Sequence, residues 1–90
     1  MSTVNLAEAL IHTSGVERSS GVDTITFLKA SGILLHPPDE AIVRRVPKLG
    51  ASLADAFAAA TALELGARLH TTDGELVRQL RKSRVAITHY

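Results

Sequence analysis

Three stretches of this chain place a carboxylate three residues after a side chain that commonly caps a helix. They run from Asn5 to Glu8, from Ser52 to Asp55 and from Thr72 to Glu75. In a capping box, the first side chain and the carboxylate each accept a hydrogen bond from a backbone N–H group at the helix start. The spacing therefore predicts three helix starts and gives each carboxylate a structural role, with Asp a less suitable partner than Glu.

Together, the same carboxylates also allow a chemical role. A carboxylate in the first helical turn is held in its charged form by the helix dipole. Helix starts that meet at the carboxyl edge of a parallel sheet form a pocket of negative charge, which needs a cation. Oxygen ligands suit Mg²⁺ or Mn²⁺, and such a metal binds substrate phosphate and activates water. Helix caps and a divalent-metal site are thus the two interpretations.

The composition limits the other kinds of chemistry. The chain has 90 residues, a formal net charge of +1 and no cysteine. This length predicts one domain, and the absence of cysteine excludes a disulfide framework, a thiolate metal site and a thiol nucleophile. The longest apolar stretch, residues 56–63, is too short for a membrane span, and no signal peptide is recognisable. We expect a single cytoplasmic domain over residues 1–90 that does not bind a membrane.

Basic side chains collect near the end of the chain, where residues 76–90 contain no acidic residue. They are Arg78, Arg81, Lys82 and Arg84. A solvated helix face is the favoured interpretation, and weak attraction of a polyanion such as RNA is the alternative. The four histidines lack the spacing of a zinc site, although His70 lies next to Thr71 and could contact a bound phosphate.

Apolar spacing and turn residues predict the secondary structure. The predicted helices span residues 5–13, 22–30, 39–49, 53–65 and 74–81, and the predicted strands span residues 33–36, 67–71 and 84–88. Ser14 and Gly15 should end the first helix, and residues 17–21 should form a loop. Pro47 should end or kink the third helix near Val46, and the fourth should be buried on more than one side. The alternation in the second half predicts an α/β fold with parallel strands.

Several short motifs carry a resemblance to a known family. They are SLADA at residues 52–56, AATALELGA at 59–67 and LHTTD at 69–73. In this order and spacing they resemble the C-terminal half of a PIN domain, the fold of VapC-type toxin ribonucleases. TVNLAE at residues 3–8 is similar to the region around the family's second acidic residue, and LLHPPD at 34–39 fits the strand and helix between. The resemblance covers essentially the whole chain.

The resemblance implies both a fold and an activity. The fold is a three-layer, parallel-sheet PIN-like domain, of which residues 1–90 form the C-terminal two-thirds. Glu8, Asp55 and Asp73 match acidic positions of the family's metal site, and Thr71 matches the hydroxyl residue two positions before the last acid. The implied activity is that of an endoribonuclease dependent on Mg²⁺ or Mn²⁺, in which metal-bound water attacks a phosphodiester of RNA. The family is often paired with an antitoxin protein.

One part of the family pattern has no counterpart here. A PIN domain begins with a hydrophobic strand that carries its first metal-binding Asp and lies in the middle of the sheet. Asp23 and Asp39 are poor substitutes, since neither follows an apolar strand. Either the gene starts further upstream, or the chain is a truncated relative that completes its sheet by self-association. The N-terminally truncated form is expected to be a homodimer, because an incomplete sheet exposes an edge that requires pairing.

Two hypotheses therefore describe the function. The first is a PIN-type ribonuclease or its remnant, with Arg68, Arg78 or Arg81 steering RNA. The second is a catalytically inactive PIN-like module that acts through homo-oligomerisation or through binding of a partner such as an antitoxin. A helix-turn-helix DNA-binding protein is a distant third, because no basic recognition helix stands out.

Overall fold

The computed structural model describes residues 1–21 and 23–90, with the backbone alone at positions 16, 17, 19 and 20. Five α-helices and two strands are present in these residues. They are α1 (Thr3–Ser20), α2 (Thr24–Ala30), α3 (Glu40–Arg45), α4 (Leu53–Leu65), β1 (Arg68–Thr71), α5 (Gly74–Gln79) and β2 (Ala86–His89). The protein is a small domain of mixed helices and strands, as the α/β prediction requires at this level of detail.

The second half follows the sequence prediction closely. α4 has the predicted bounds and ends at Gly66 with φ +61°, where the Ala67 N–H donates to the carbonyl of Ala62 over 2.8 Å. This left-handed closure favours glycine because a side chain there would be strained. β1 and β2 pair in parallel with α5 between them, from Arg68 opposite Ala86 to Thr71 opposite His89. The predicted parallel strands with a helical crossover are confirmed.

Proline limits the third helix as predicted. α3 ends at Arg45, and a short 3₁₀ helix, Val46–Lys48, contains Pro47 at its beginning. Proline has no N–H for an α-helical bond to the preceding turn, so the α-helix cannot continue through it. At the start of α3, Asp39 is the N-cap and accepts the N–H of Ile42 over 2.9 Å.

The end of the first helix was predicted wrongly. Ser14 and Gly15 do not stop α1, which continues to Ser20 through the expected loop region. A glycine ends a helix most readily where the backbone takes a positive φ, and that conformation occurs at Gly21 (φ +72°) rather than at Gly15. The predicted second helix began at Val22, which lies outside the described residues. α2 itself starts after Asp23, whose hydrogen bond from the Thr26 hydroxyl lowers the pKa of its carboxyl group.

Residues 33–36 do not form the predicted strand. His36 makes one isolated parallel bridge to Ser2, with its N–H donating to the Met1 carbonyl over 2.8 Å. An apolar run becomes a strand only where a neighbouring strand supplies a ladder of hydrogen bonds. In the described part of the chain, residues 1–3 supply three backbone hydrogen bonds to Leu34 and His36, which make a single bridge rather than a strand.

The core lies between α4 and the elements around it. It is built from small and branched side chains: Ile42, Leu49, Ala56, Ala59, Ala60, Leu76 and Leu80. Alanines on α4 let the neighbouring elements approach its backbone closely, which fits the low aromatic content. Burial is incomplete at the two ends of α4, where Leu53 is 67% and Leu65 is 52% exposed. The predicted burial of α4 therefore holds for its middle turns.

Candidate functional site

Asp55 lies in the first turn of α4, as its spacing predicts, but Ser52 and Asp55 do not form the predicted capping box. The Ser52 hydroxyl donates to Asp55 Oδ2 over 2.8 Å instead of accepting a backbone N–H. The Asp55 carboxylate is thereby oriented by the residue that begins the helix. Ser52 is the N-cap residue by its backbone position alone.

Thr71 is the last residue of β1, and Asp73 lies two residues after it. Asp73, rather than Thr72, is the N-cap of α5, and its Oδ1 accepts the N–H groups of Glu75 (2.9 Å) and Leu76 (3.3 Å). Thr71 Oγ1 accepts the N–H of Asp73 over 3.0 Å, which orients this turn. The capping box predicted from Thr72 to Glu75 is therefore wrong, because Asp73 is the N-cap and Glu75 forms an ion pair with Arg78.

Glu8 is exposed on α1, and Asn5, its predicted capping partner, does not cap this helix. Asn5 lies inside the first turn of α1, so it cannot cap that helix; Ser2 does so by accepting the N–H of Val4 over 3.2 Å. The Asn5 side chain instead donates to the carbonyl of Ala54 over 3.0 Å. This bond ties the beginning of α1 to the beginning of α4.

The three predicted metal-site carboxylates take different places in their elements. Asp55 lies in the first turn of α4, and Asp73 caps α5 after the carboxyl end of β1. Glu8 lies in the second turn of α1, whose first turn holds no acidic residue. Within residues 1–21 and 23–90, no group of three acidic or histidine side chains is placed to hold one metal ion.

Aromatic and imidazole rings lie at the carboxyl ends of the two strands, a feature that the sequence analysis did not assign to the site. His70 Nδ1 and Tyr90 Oη are 2.7 Å apart, with their rings stacked at a centroid distance of 5.7 Å. The Tyr90 N–H donates to the Thr71 carbonyl over 3.0 Å and extends the parallel pairing. The His89 ring instead lies 3.5 Å from where a Cβ would stand at Gly74. The parallel register brings His70 and Tyr90 together, and sequence spacing alone carries no such signal.

A cleft of about 470 Å³ is lined by α4, by β1 and by residues at the beginning of the chain, and no residue of β2 lines it. We call it the apolar cleft, defined by Met1, Ser2, Asn5, Ile33, Ala58, Thr61, Ala62, Leu65, Ala67, Arg68, Leu69 and His70. β1 pairs only with β2 in the described residues, so its backbone is unpaired along this cleft. The buried Oδ1 of Asn5, which lines the cleft, accepts no hydrogen bond from the residues that the structure describes.

Comparison of the chain with protein-family models, curated proteins and solved structures finds no match. Among the described residues, no helix is both long and apolar enough to cross a membrane.

Proposed function

We propose that this chain is a PIN-like module that acts by associating with a second copy of itself along the apolar cleft. The observation that carries this proposal is the unpaired edge of β1 above a largely apolar floor. An open strand edge presents N–H and C=O groups in a row, and natural proteins cover such an edge or pair it. The proposed three-layer PIN-like sheet would be extended by this pairing.

The amount of exposed surface supports association. The chain exposes 6056 Å², whereas a compact monomer of this mass exposes about 5,100 Å². The radius of gyration, 13.9 Å, also exceeds the value of about 12 Å for a compact domain of this length. The excess of roughly 1,000 Å² is similar to the area of about 800 Å² that each partner buries in a standard interface.

The side chains around the apolar cleft fit a second copy of the chain. Met1 (44%), Ile33 (37%) and Leu65 (52%) are exposed at its rim, and Leu34 is 84% exposed next to it. Burying such side chains against those of a partner stabilises a complex by about 25 cal/mol for each Å² of apolar surface. Because the formal net charge is only +1, two copies repel each other little.

Sedimentation equilibrium of two matched variants tests the association. Leu65→Lys places a charge on the rim of the apolar cleft, and Leu53→Lys makes the same change on an exposed residue at the other end of α4. We expect wild type and Leu53→Lys to be dimers at about 100 µM, and Leu65→Lys to be monomeric, since a buried unpaired charge opposes association. A folded wild-type monomer at this concentration, or a dimer of Leu65→Lys, would show the proposal to be wrong. A monomer that binds an added antitoxin would assign the cleft to that partner instead.

A second candidate function is divalent-metal-dependent cleavage of RNA, as the PIN resemblance implies. The position of Asp55 in the first turn of α4 and of Asp73 after the carboxyl end of β1 favours it, with Thr71 orienting the turn that carries Asp73. Glu8, Asp55 and Asp73 are the residues that would hold Mg²⁺ or Mn²⁺, and the metal would polarise the phosphodiester. Since the described residues form no complete metal site, metal binding would require a further ligand or a closer approach of the three carboxylates.

Cleavage of single-stranded RNA in Mg²⁺ or Mn²⁺ tests this candidate. Asp73→Asn keeps the N-cap of α5, because Asn caps as well as Asp, but removes the charge that would bind metal. We expect cleavage to fall about 100-fold or more, because metal catalysis supplies several kcal/mol. Asp39→Asn is the matched control, since Asp39 caps the short helix α3 in the same way. Equal rates in the two variants, or cleavage that persists in EDTA, would contradict the assignment.

A further inference from the structure

Four basic side chains line a second cleft, of about 370 Å³. They are Arg45, Lys48, Lys82 and Arg84, and we call the site the basic cleft. Leu49 and Leu63 form its apolar part, and Ser83 completes the lining. Residues from α3, from the 3₁₀ helix and from the segment before β2 thus bring positive charge to one concave surface.

Most of this charge is uncompensated. Arg45 forms an ion pair with Glu64 of α4. In the part of the chain that the structure describes, Lys48, Lys82 and Arg84 form no ion pair, and no acidic residue lines the cleft. Like charges that converge in a concave site repel each other and attract a multivalent anion.

The basic cleft is separate from Asp55 and Asp73. Arg84 precedes β2, so it lies toward the amino ends of the parallel strands, whereas Asp73 follows the carboxyl end of β1. Leu63 lies in the last turn of α4, and Asp55 lies in its first turn. The two groups of charges are thus on opposite ends of α4.

We propose that the basic cleft binds two or more adjacent phosphate groups. The guanidinium of Arg84 matches the geometry of phosphate oxygens, and the flanking lysines supply point charges. The volume suits a small ligand such as a di- or triphosphate. No aromatic side chain lines the cleft, so contact with phosphates rather than stacking of bases defines recognition. This inference depends neither on self-association along the apolar cleft nor on cleavage of RNA.

Calorimetric titration with inorganic tripolyphosphate, in a buffer free of phosphate, tests the proposal. Arg84→Gln removes a charge from the cleft, and Arg44→Gln removes the same charge from an exposed position outside it. We expect Arg84→Gln to weaken binding about tenfold and Arg44→Gln to weaken it less than about twofold. Leu65→Lys should bind like wild type, which distinguishes this proposal from association through the apolar cleft.

Three results would overturn the proposal. They are no binding at about 50 mM salt, equal losses in the two arginine variants, and equally tight binding of a polycarboxylate of the same charge. A ten-nucleotide single-stranded RNA, titrated in parallel, identifies the source of the phosphates. Tighter binding of the RNA through Arg84 supports a nucleic-acid backbone, whereas tighter binding of tripolyphosphate supports a soluble polyphosphate.

Discussion

The melting temperature of this protein should rise with its concentration, by about 4 °C for each tenfold increase. The physical reason is that a dimer which unfolds to two free chains is favoured by mass action. The size of the effect follows from an unfolding enthalpy of about 0.7 kcal/mol per residue, summed over both copies. Differential scanning calorimetry from about 10 µM to 1 mM measures it.

The rim variant serves as the control for this measurement. Leu65→Lys should have a melting temperature that is lower at high concentration and that does not change with concentration, whereas Leu53→Lys should follow the wild type. Both leucines are exposed in the single chain, so neither change removes a contact of the buried core. A wild-type melting temperature that is constant over this range would contradict dimer-dependent folding.

Ile42→Ala should lower the free energy of unfolding by about 3 kcal/mol. Ile42 is fully buried on α3 and belongs to the core cluster with Leu49, Leu76 and Leu80. Removing its outer carbons leaves a cavity that the alanine-rich face of α4 cannot fill, since alanine side chains have no rotamers. The shift corresponds to a change of about 100-fold in the folding equilibrium, which is a large share of the stability of a small domain.

Urea unfolding of Ile42→Ala and Val43→Ala measures this effect. Val43 is the next residue on α3 and is 50% exposed, so its truncation should lower the free energy of unfolding by less than about 1 kcal/mol. Similar losses in the two variants would show that α3 does not pack on α4 as the structure describes. Both measurements should be made at one protein concentration, because association also changes the apparent stability.

Local signals in the sequence were sufficient for the second half of the fold. The apolar alanine-rich run from Leu53 to Leu65, closed by Gly66, specifies a helix with a left-handed end. Pro47 ends α3 because it has no backbone N–H, whatever surrounds it. The strand, helix and strand that follow have the right lengths for a parallel crossover, so their pairing was predictable.

The predictions of secondary structure and capping were wrong where two local signals competed or where an element needed a neighbouring part of the chain to form. Gly15 and Gly21 both resemble helix ends, and only Gly21 takes the positive φ that stops α1. The run from Ile33 to His36 has the composition of a strand, but its ladder depends on a partner elsewhere in the chain. Likewise, Asp73 rather than Thr72 caps α5, because the turn after β1 places its oxygen over the free N–H groups.

By itself, the sequence determined which residues bear charge and that α4 begins with a carboxylate in its first turn, because capping and periodicity act over a few neighbouring residues. Only the tertiary structure decided what these residues face. Among the residues that the structure describes, it left one edge of β1 without a strand partner, placed no three acidic or histidine side chains to hold one metal ion, and brought basic residues from distant segments into one cleft. These outcomes depend on how α4 packs between its neighbours, and packing joins residues that no local spacing relates.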